Sequence, residues 1–322
     1  MKEFEYVNAT SLDEALSFLD ENTAIIAGGT DLLTGMKNNV LSPSRLVNIK
    51  AIPDLNYIKY SEGRDLLIGP LALLDQIEKS EIVQQSFSIL AQAAGSVATP
   101  QIRNVGTIGG NLCQKPRCWY YRNPSFQCLR KDGKACFAVR GENRYNAIID
   151  GGPCFMVHPS DLATALVALD ARVKILSSDG ERVIPIEDFF TSPRVNLTRE
   201  NVLKPSELIA EIQIPASSSS SRGVYLKVAE RKTWDFATVS VALRIDFEED
   251  VVSDARIVLG GVSPTPFRAK DTEILLKGNI IDDRLAELAS KKAVSGSKPL
   301  KGNGYKISLV GSLIKRNLAN IR

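Results

Sequence analysis

Histidine is almost absent: His158 is the only one among 322 residues. One imidazole supplies neither a multi-histidine zinc site nor, without partners in recognisable motifs, a Ser-His-Asp relay. It is expected to pack beside the Ser160-Asp161 turn. There is no G-x-S-x-G elbow, no Walker loop and no G-x-G-x-x-G fingerprint. Their absence argues against a serine hydrolase, a P-loop protein and a nicotinamide-binding Rossmann domain. No apolar run approaches the roughly 18 residues needed to cross a bilayer. Lys and Arg number 40 against 37 Asp and Glu, a net charge of +3, with no basic block or aromatic-studded basic stripe. Neither a membrane nor nucleic acid is therefore expected as a partner. The opening MKEFEYVNAT has no apolar signal core, so the chain is expected in the cytoplasm, under reducing conditions.

Cysteine is scarce and confined. All five, Cys113, Cys118, Cys128, Cys136 and Cys154, fall in one stretch that also holds Arg117, Trp119, Tyr120 and Tyr121. An odd number cannot pair completely into disulfides within one chain. The intervals are x4, x9, x7 and x17, with no C-x2-C knuckle of the kind zinc sites favour. An iron–sulfur cluster tolerates looser spacing, because its thiolates can come from an irregular loop. Spacing favours a cluster and leaves zinc open.

The length suggests two domains. The serine run Ser217–Ser221 marks either a flexible boundary or a long hairpin loop. The expected division is 1–216, with a cysteine insertion at 113–155, and 222–322. Ser11-Leu12-Asp13-Glu14 reads as a capping box opening a helix. Ala24–Ala27 and Leu66–Ile68 read as short strands that run into glycine. Residues 73–97 carry helical periodicity, with Ile77, Ile82, Phe87, Leu90 and Ala94 as core candidates. Asp161–Ala171 reads as a helix capped by Ser160. Strands at 224–229, 238–247 and 252–259 precede helices at 282–293 and 307–320. That order indicates an α+β fold rather than a regular βαβ alternation.

Two glycine segments remain. In Ala27-Gly28-Gly29-Thr30-Asp31 the missing Cβ atoms let backbone N–H groups approach an anion such as a pyrophosphate. In Asn104-Val105-Gly106-Thr107-Ile108-Gly109-Gly110-Asn111-Leu112, Thr107 and Asn111 add side-chain donors. Two such segments can grip a dinucleotide from both sides, although ordinary strand–turn structure explains either one alone.

AGGTDLL, NVGTIGGNL, HPSDLATALVALDA and GGVSPTPFRA, in that order across nearly the whole chain, resemble the flavin-binding medium subunit of the molybdenum hydroxylases. That family includes xanthine dehydrogenases, aldehyde oxidoreductases, carbon monoxide dehydrogenase and 4-hydroxybenzoyl-CoA reductase. The resemblance implies a vanillyl-alcohol-oxidase (PCMH)-type FAD-binding domain followed by a domain like the C-terminal domain of the CO dehydrogenase flavoprotein. It implies that Ile25, Ile26, Ala27, Gly28, Gly29, Thr30, Asp31 and Leu32 wrap the FAD pyrophosphate. Thr107, Gly110, Asn111 and Leu112 would form the opposite wall, with Ala98 and Ile102 upstream. Asp161 would bond the flavin part, Leu208 and Ile209 would lie near the ring, and Lys227 beside the isoalloxazine. The simpler readings are a helix-start acid for Asp161, favourable by about 0.3–1 kcal/mol, and a solvated strand lysine for Lys227.

The insertion is similar to one that binds a [4Fe–4S] cluster in a subset of the family. RCWYYRN, CLRKDGKAC, GENRYNAI and CFMVHPSD resemble its aldehyde-oxidoreductase version most. This implies Cys118, Cys128, Cys136 and Cys154 as ligands, with Cys113 the spare that continues an apolar strand. The implied function is electron transfer within a heterotrimer, or a dimer of heterotrimers. A small [2Fe–2S] subunit and a large molybdopterin subunit would be the partners, and NAD, oxygen, a quinone or a ferredoxin the acceptor. Export would require a partner with a twin-arginine signal. A standalone flavin and iron–sulfur sensing or assembly module is the alternative, and a zinc-stabilised structural protein without flavin a third reading.

Overall fold

The computed structural model describes residues 1–216 and 220–321. Ser217–Ser219 of the serine run lie outside the described residues. Short apolar runs broken by glycine and polar turns build three sheets. The first is parallel, with β1 (Glu5–Asn8), β2 (Thr23–Ile26) and β3 (Arg45–Asn48) in the order β1-β3-β2. Parallel pairing needs crossovers, supplied by helices Leu12–Ser17 and Leu32–Lys37. The first helix is capped as expected, with Ser11 Oγ accepting from Glu14 N at 3.1 Å. The reciprocal bond is displaced by one residue, since the Glu14 carboxylate takes Thr10 N and Oγ1, both at 2.7 Å.

The second sheet is antiparallel. It contains β4 (Ile58–Lys59), β5 (Leu66–Ile68), β6 (Arg172–Ser177), β7 (Gly180–Pro185) and β8 (Leu208–Ile214), in the order β4-β5-β8-β6-β7. The helical stretch after β5 breaks into Leu74–Lys79, Glu81–Ser86 and Ser88–Gly95, because Ser80 and Phe87 leave helical geometry. Ile77, Phe87, Leu90 and Ala94 are buried as expected, and Ile82 is partly buried.

The third sheet, also antiparallel, follows the serine run. It orders β9 (Ser221–Val228), β10 (Val239–Glu248), β11 (Val251–Gly260) and β12 (Phe267–Arg268) as β12-β11-β10-β9. Strand alternation divides its side chains. Val241, Leu243, Ile245 and Ile257 pack with the C-terminal helices Asp283–Lys292 and Tyr305–Ile321. Ala242 and Val258 join the core built on helix Asp161–Ala168 and the second sheet. That helix is buried at every position, as a helix sandwiched between layers must be. One continuous core therefore spans both sides of the serine run.

The cysteine insertion contains only short helical turns, at Trp119–Arg122, Leu129–Lys131 and Phe137–Val139. Hydrogen bonds from distant segments hold it. Gly302 N donates to Asn143 Oδ1 at 2.8 Å, and Lys298 N to Ile148 O at 2.6 Å. Lys306, fully buried, donates to the carbonyls of Tyr145 (2.9 Å), Asn146 (3.1 Å) and Gly261 (2.7 Å). Burial lowers its pKa to about 7, while three carbonyl acceptors favour the ammonium form.

Candidate functional site

The two glycine segments face each other. A Cβ on Gly28 would lie 2.2 Å from Val105 O and 3.1 Å from Gly106 Cα, so the backbones are in direct contact. Gly29 has φ +72°, which only glycine adopts without strain. Among the described residues, no protein acceptor takes the N–H groups of Gly28, Gly29 or Thr30. They form a small donor nest suited to an anion. The second segment differs from expectation. Residues Ile108–Leu112 are helical, with Thr107 Oγ1 capping Gly110 N at 3.2 Å and Cys113 closing the helix. Ile108 N and Gly109 N are already bonded to Ala72 O and Pro70 O, both at 3.0 Å. Its contribution is close approach: a Cβ on Gly110 would meet only Thr107 Oγ1, at 3.0 Å, and otherwise open space.

Between them lies a cavity of ≈ 460 Å³. Every cleft residue expected from the sequence lines it except Ile26 and Leu112. Alternation along β2 turns Ile26 away from Ile25, into a small core with Met36 and Leu46. Leu112 is on the inner face of its helix, within the main core.

The far wall is charged. Asp161 begins its helix beneath Ser160, whose Oγ caps Ala163 N at 2.9 Å and bonds Asn111 Oδ1. The Asp161 carboxylate accepts Lys227 Nζ at 2.8 Å and Tyr225 OH at 2.5 Å, and Lys227 also donates to Ser96 O at 3.0 Å. With 9% and 4% side-chain exposure, Lys227 and Asp161 form a buried ion pair across the serine run. The solvated-lysine reading is therefore wrong. Burial and then Asp161 raise the Tyr225 phenol well above its ordinary value. Sequence reasoning missed Tyr225, although its i, i+2 spacing from Lys227 puts both on one face of β9. His158 packs edge-on to Phe190, 4.6 Å between centroids, and its Nδ1 accepts Ser160 N at 3.4 Å. Burial lowers its pKa to about 3.

Asp31 does different work from that expected. Its carboxylate takes Arg122 at 2.7 Å, Arg117 at 3.0 Å and Lys115 N at 2.8 Å, which staples the first glycine loop to the cysteine insertion. Glu200 anchors the insertion a second time, through buried Arg130 and through Lys115 at 2.6 Å.

The five thiols do not converge on one point. Cys113 lines the cleft, and burial raises its pKa to about 12. Cys136 and Cys154 share a thiol hydrogen bond. That bond, aided by the N–H groups of Phe155, Ala138 and Val139, lowers Cys136, while Cys154 is raised. Burial raises Cys118, which receives N–H···S bonds from Tyr121, Tyr120 and the Asn146 amide and lies within electrostatic range of Cys136. Cys128 is buried, its carbonyl accepting Lys131 N and Gly133 N at 2.8 and 3.0 Å. Among the described residues no group of three or more His, Cys, Asp or Glu converges closely enough to hold a metal ion.

Residues 2–217 match the family described as the FAD binding domain in molybdopterin dehydrogenase, and 224–321 match the CO dehydrogenase flavoprotein C-terminal domain. The chain belongs to the FAD-binding medium subunits of the molybdenum hydroxylases. This flavoprotein subunit is 30% identical to the aldehyde oxidoreductase FAD-binding subunit of Escherichia coli, over 100% of its own length and 98% of the relative's. It is 31% identical to the glyceraldehyde dehydrogenase medium chain of Sulfolobus acidocaldarius, over 92% and 89%. The solved carbon monoxide dehydrogenase of Hydrogenophaga pseudoflava superposes with a TM-score of 0.79 at 27% identity, covering 99% of this chain and 97% of that one. The subunit is thus part of an oxidoreductase and binds FAD. The cleft fits the cofactor through the unpaired donors of Gly28–Thr30 and the cradle at Gly110, which a Cβ would fill.

Proposed function

We propose that this subunit carries electrons through FAD between a small [2Fe–2S] subunit, fed by a large molybdopterin subunit, and an external acceptor. Relatives named as medium chains support the assembly. The observation that carries the redox role is the juxtaposition, through Asp31, of the anion-binding glycine loop and the cysteine insertion. When bound, FAD supplies exchange between single-electron and paired-electron transfer. Gly28, Gly29 and Thr30 would bind its pyrophosphate. Asp161, held by Lys227 and Tyr225, would present a fixed carboxylate to the flavin part, with Leu208 and Ile209 excluding water.

Within the same reading, Cys118, Cys128, Cys136 and Cys154 would hold a [4Fe–4S] cluster, whose four irons take one thiolate each, so the four need not converge on a single ion, as no three of them do among the described residues. Backbone and amide N–H···S donors at Cys118 and Cys136 suit thiolates that bind iron. Cys113, set apart in the cleft wall beside Lys115, is not a ligand. The complex works in the cytoplasm unless a partner exports it. The test is FAD, iron and acid-labile sulfide content of the anaerobically purified subunit and its five Cys→Ser variants. Four variants should lose the iron while Cys113→Ser keeps it. Cys113→Ser losing iron while Cys154→Ser retains it, or zinc in the wild type, would refute the cluster and leave the FAD assignment to be judged by flavin content.

A further inference from the structure

A second cavity, ≈ 530 Å³, adjoins the flavin cleft. The two share Arg117, Pro159, Asp161, Trp234, Asp235 and Phe236 as a common wall. Both tryptophans of the chain, Trp119 and Trp234, line it with 56% and 57% exposure. Tyr145 meets Trp119 edge-on at 5.5 Å. Trp234 is held at φ +75°, a conformation a bulky residue rarely adopts, by its N–H bond to Ala98 O at 2.9 Å. Ala98 lines the flavin cleft and has positive φ itself, +45°. Strain of this kind persists where the surrounding structure enforces it, and it clusters at ligand sites.

The charges define what this aromatic cavity admits. Arg117, Arg144 and Arg231 face Glu142, Glu230 and Asp235, and the fourth carboxylate, Asp161, is already matched by Lys227. Each arginine is already paired: Arg231 with Asp235 at 2.5 Å, Arg144 with Glu142 at 3.5 Å, and Arg117 with Asp31 at 3.0 Å. The phosphates of a nicotinamide dinucleotide would find no free cation here and would lie beside carboxylates. A neutral planar molecule would gain the aromatic contacts without that penalty. His158, also in the wall, has its Nε2 buried with no hydrogen-bond partner.

We propose that this cavity binds a quinone as the oxidant of the reduced flavin. The inference rests on the FAD reading above. In the reaction FADH2 loses two electrons and two protons and becomes FAD. The quinone gains both pairs at its carbonyl oxygens and becomes the quinol, so no further reactant is needed.

The test begins with flavin content, then titrates the oxidised, FAD-loaded protein with menadione. Trp119 lines this cavity and not the flavin cleft, so the part of the fluorescence quenching that is lost in Trp119→Ala reports it, and should saturate with menadione but not with NAD. Photoreduced protein mixed anaerobically with menadione should reoxidise at a rate that saturates. Trp119→Ala should raise the half-saturating concentration about three- to tenfold, with FAD retained. Reoxidation that does not saturate and is unchanged in Trp119→Ala, or faster reoxidation by NAD, would overturn the proposal while leaving FAD binding intact. Loss of FAD from Trp119→Ala would make this the flavin's own cavity and overturn it too. Wild-type protein without flavin would overturn the FAD reading and the quinone site together.

Discussion

Gly28 and Gly110 line the same cleft, yet alanine should act oppositely at the two. At Gly28 a Cβ would sit 2.2 Å from Val105 O and 3.0 Å from Val105 C. Neither backbone atom can rotate aside, so the two glycine segments must separate by roughly an ångström, an overpacking that costs about 1–3 kcal/mol. At Gly110 the added methyl meets only Thr107 Oγ1, at 3.0 Å. This position is inside helix Ile108–Leu112, where alanine is favoured over glycine by about 0.8–1 kcal/mol. The methyl then fills space from which the cofactor would be excluded. Gly110→Ala should therefore melt slightly higher than wild type without flavin and bind FAD at least tenfold more weakly. Gly28→Ala should lose both stability and FAD. Thermal unfolding of the apo-protein, paired with FAD titration by flavin fluorescence, separates the two effects. A Gly110→Ala protein that binds FAD like wild type, or a Gly28→Ala protein that melts like wild type, would refute the account of the cleft.

Other outcomes follow from the buried charges. Lys227→Met strands the Asp161 carboxylate and should cost about 3–5 kcal/mol in urea unfolding, with much of the loss recovered in the double variant carrying Asp161→Asn. His158, held near pKa 3 against an unfolded value of 6.5, stays neutral in the folded protein while the unfolded chain takes a proton. Its contribution is complete above pH 6.5 and falls away toward pH 3, by up to about 1.4 kcal/mol per pH unit. His158→Gln should flatten that part of the stability profile, and parallel slopes for the two proteins would count against it. Lys306→Met leaves the Tyr145 and Gly261 carbonyls without their donor, about 1–3 kcal/mol for each buried group so orphaned, while the Asn146 carbonyl keeps Asn303 Nδ2 at 3.1 Å. Hydrogen exchange should then rise at residues 143–148 more than in the first sheet.

Local signals in the sequence carried far. The serine cap of the helix at Asp161, the strand ending at Gly28-Gly29 and the strands after the serine run all depend on near neighbours, and each formed nearly where expected. The second glycine segment, by contrast, became a helix ending at Cys113 rather than an apolar strand. Thr107 caps that helix, and two of its N–H groups bond to Pro70 and Ala72. Those partners are distant in the chain, so no window around the segment reveals them. Tyr225 behind Asp161 and the double grip of Arg117 and Arg122 on Asp31 were hidden for the same reason. The apolar pattern locates the walls of the cleft, whereas its charge pairing is set by the fold.

The clamp on the cysteine insertion also imposes an order in time. Tyr145 and its Lys306 partner are 161 residues apart, and a ribosome adding about 5–20 residues per second needs roughly ten to thirty seconds to cover that distance. Throughout that interval the carbonyls of Tyr145 and Asn146 lack their donor, and the segment bearing the thiols lacks its C-terminal anchor. Completion of the insertion is therefore a late event, which must follow synthesis of the last helix. A chain released early, short of residue 306, would carry the flavin loop, all five cysteines and the Asp31 staple between them, yet lack the clamp on Tyr145 and Asn146.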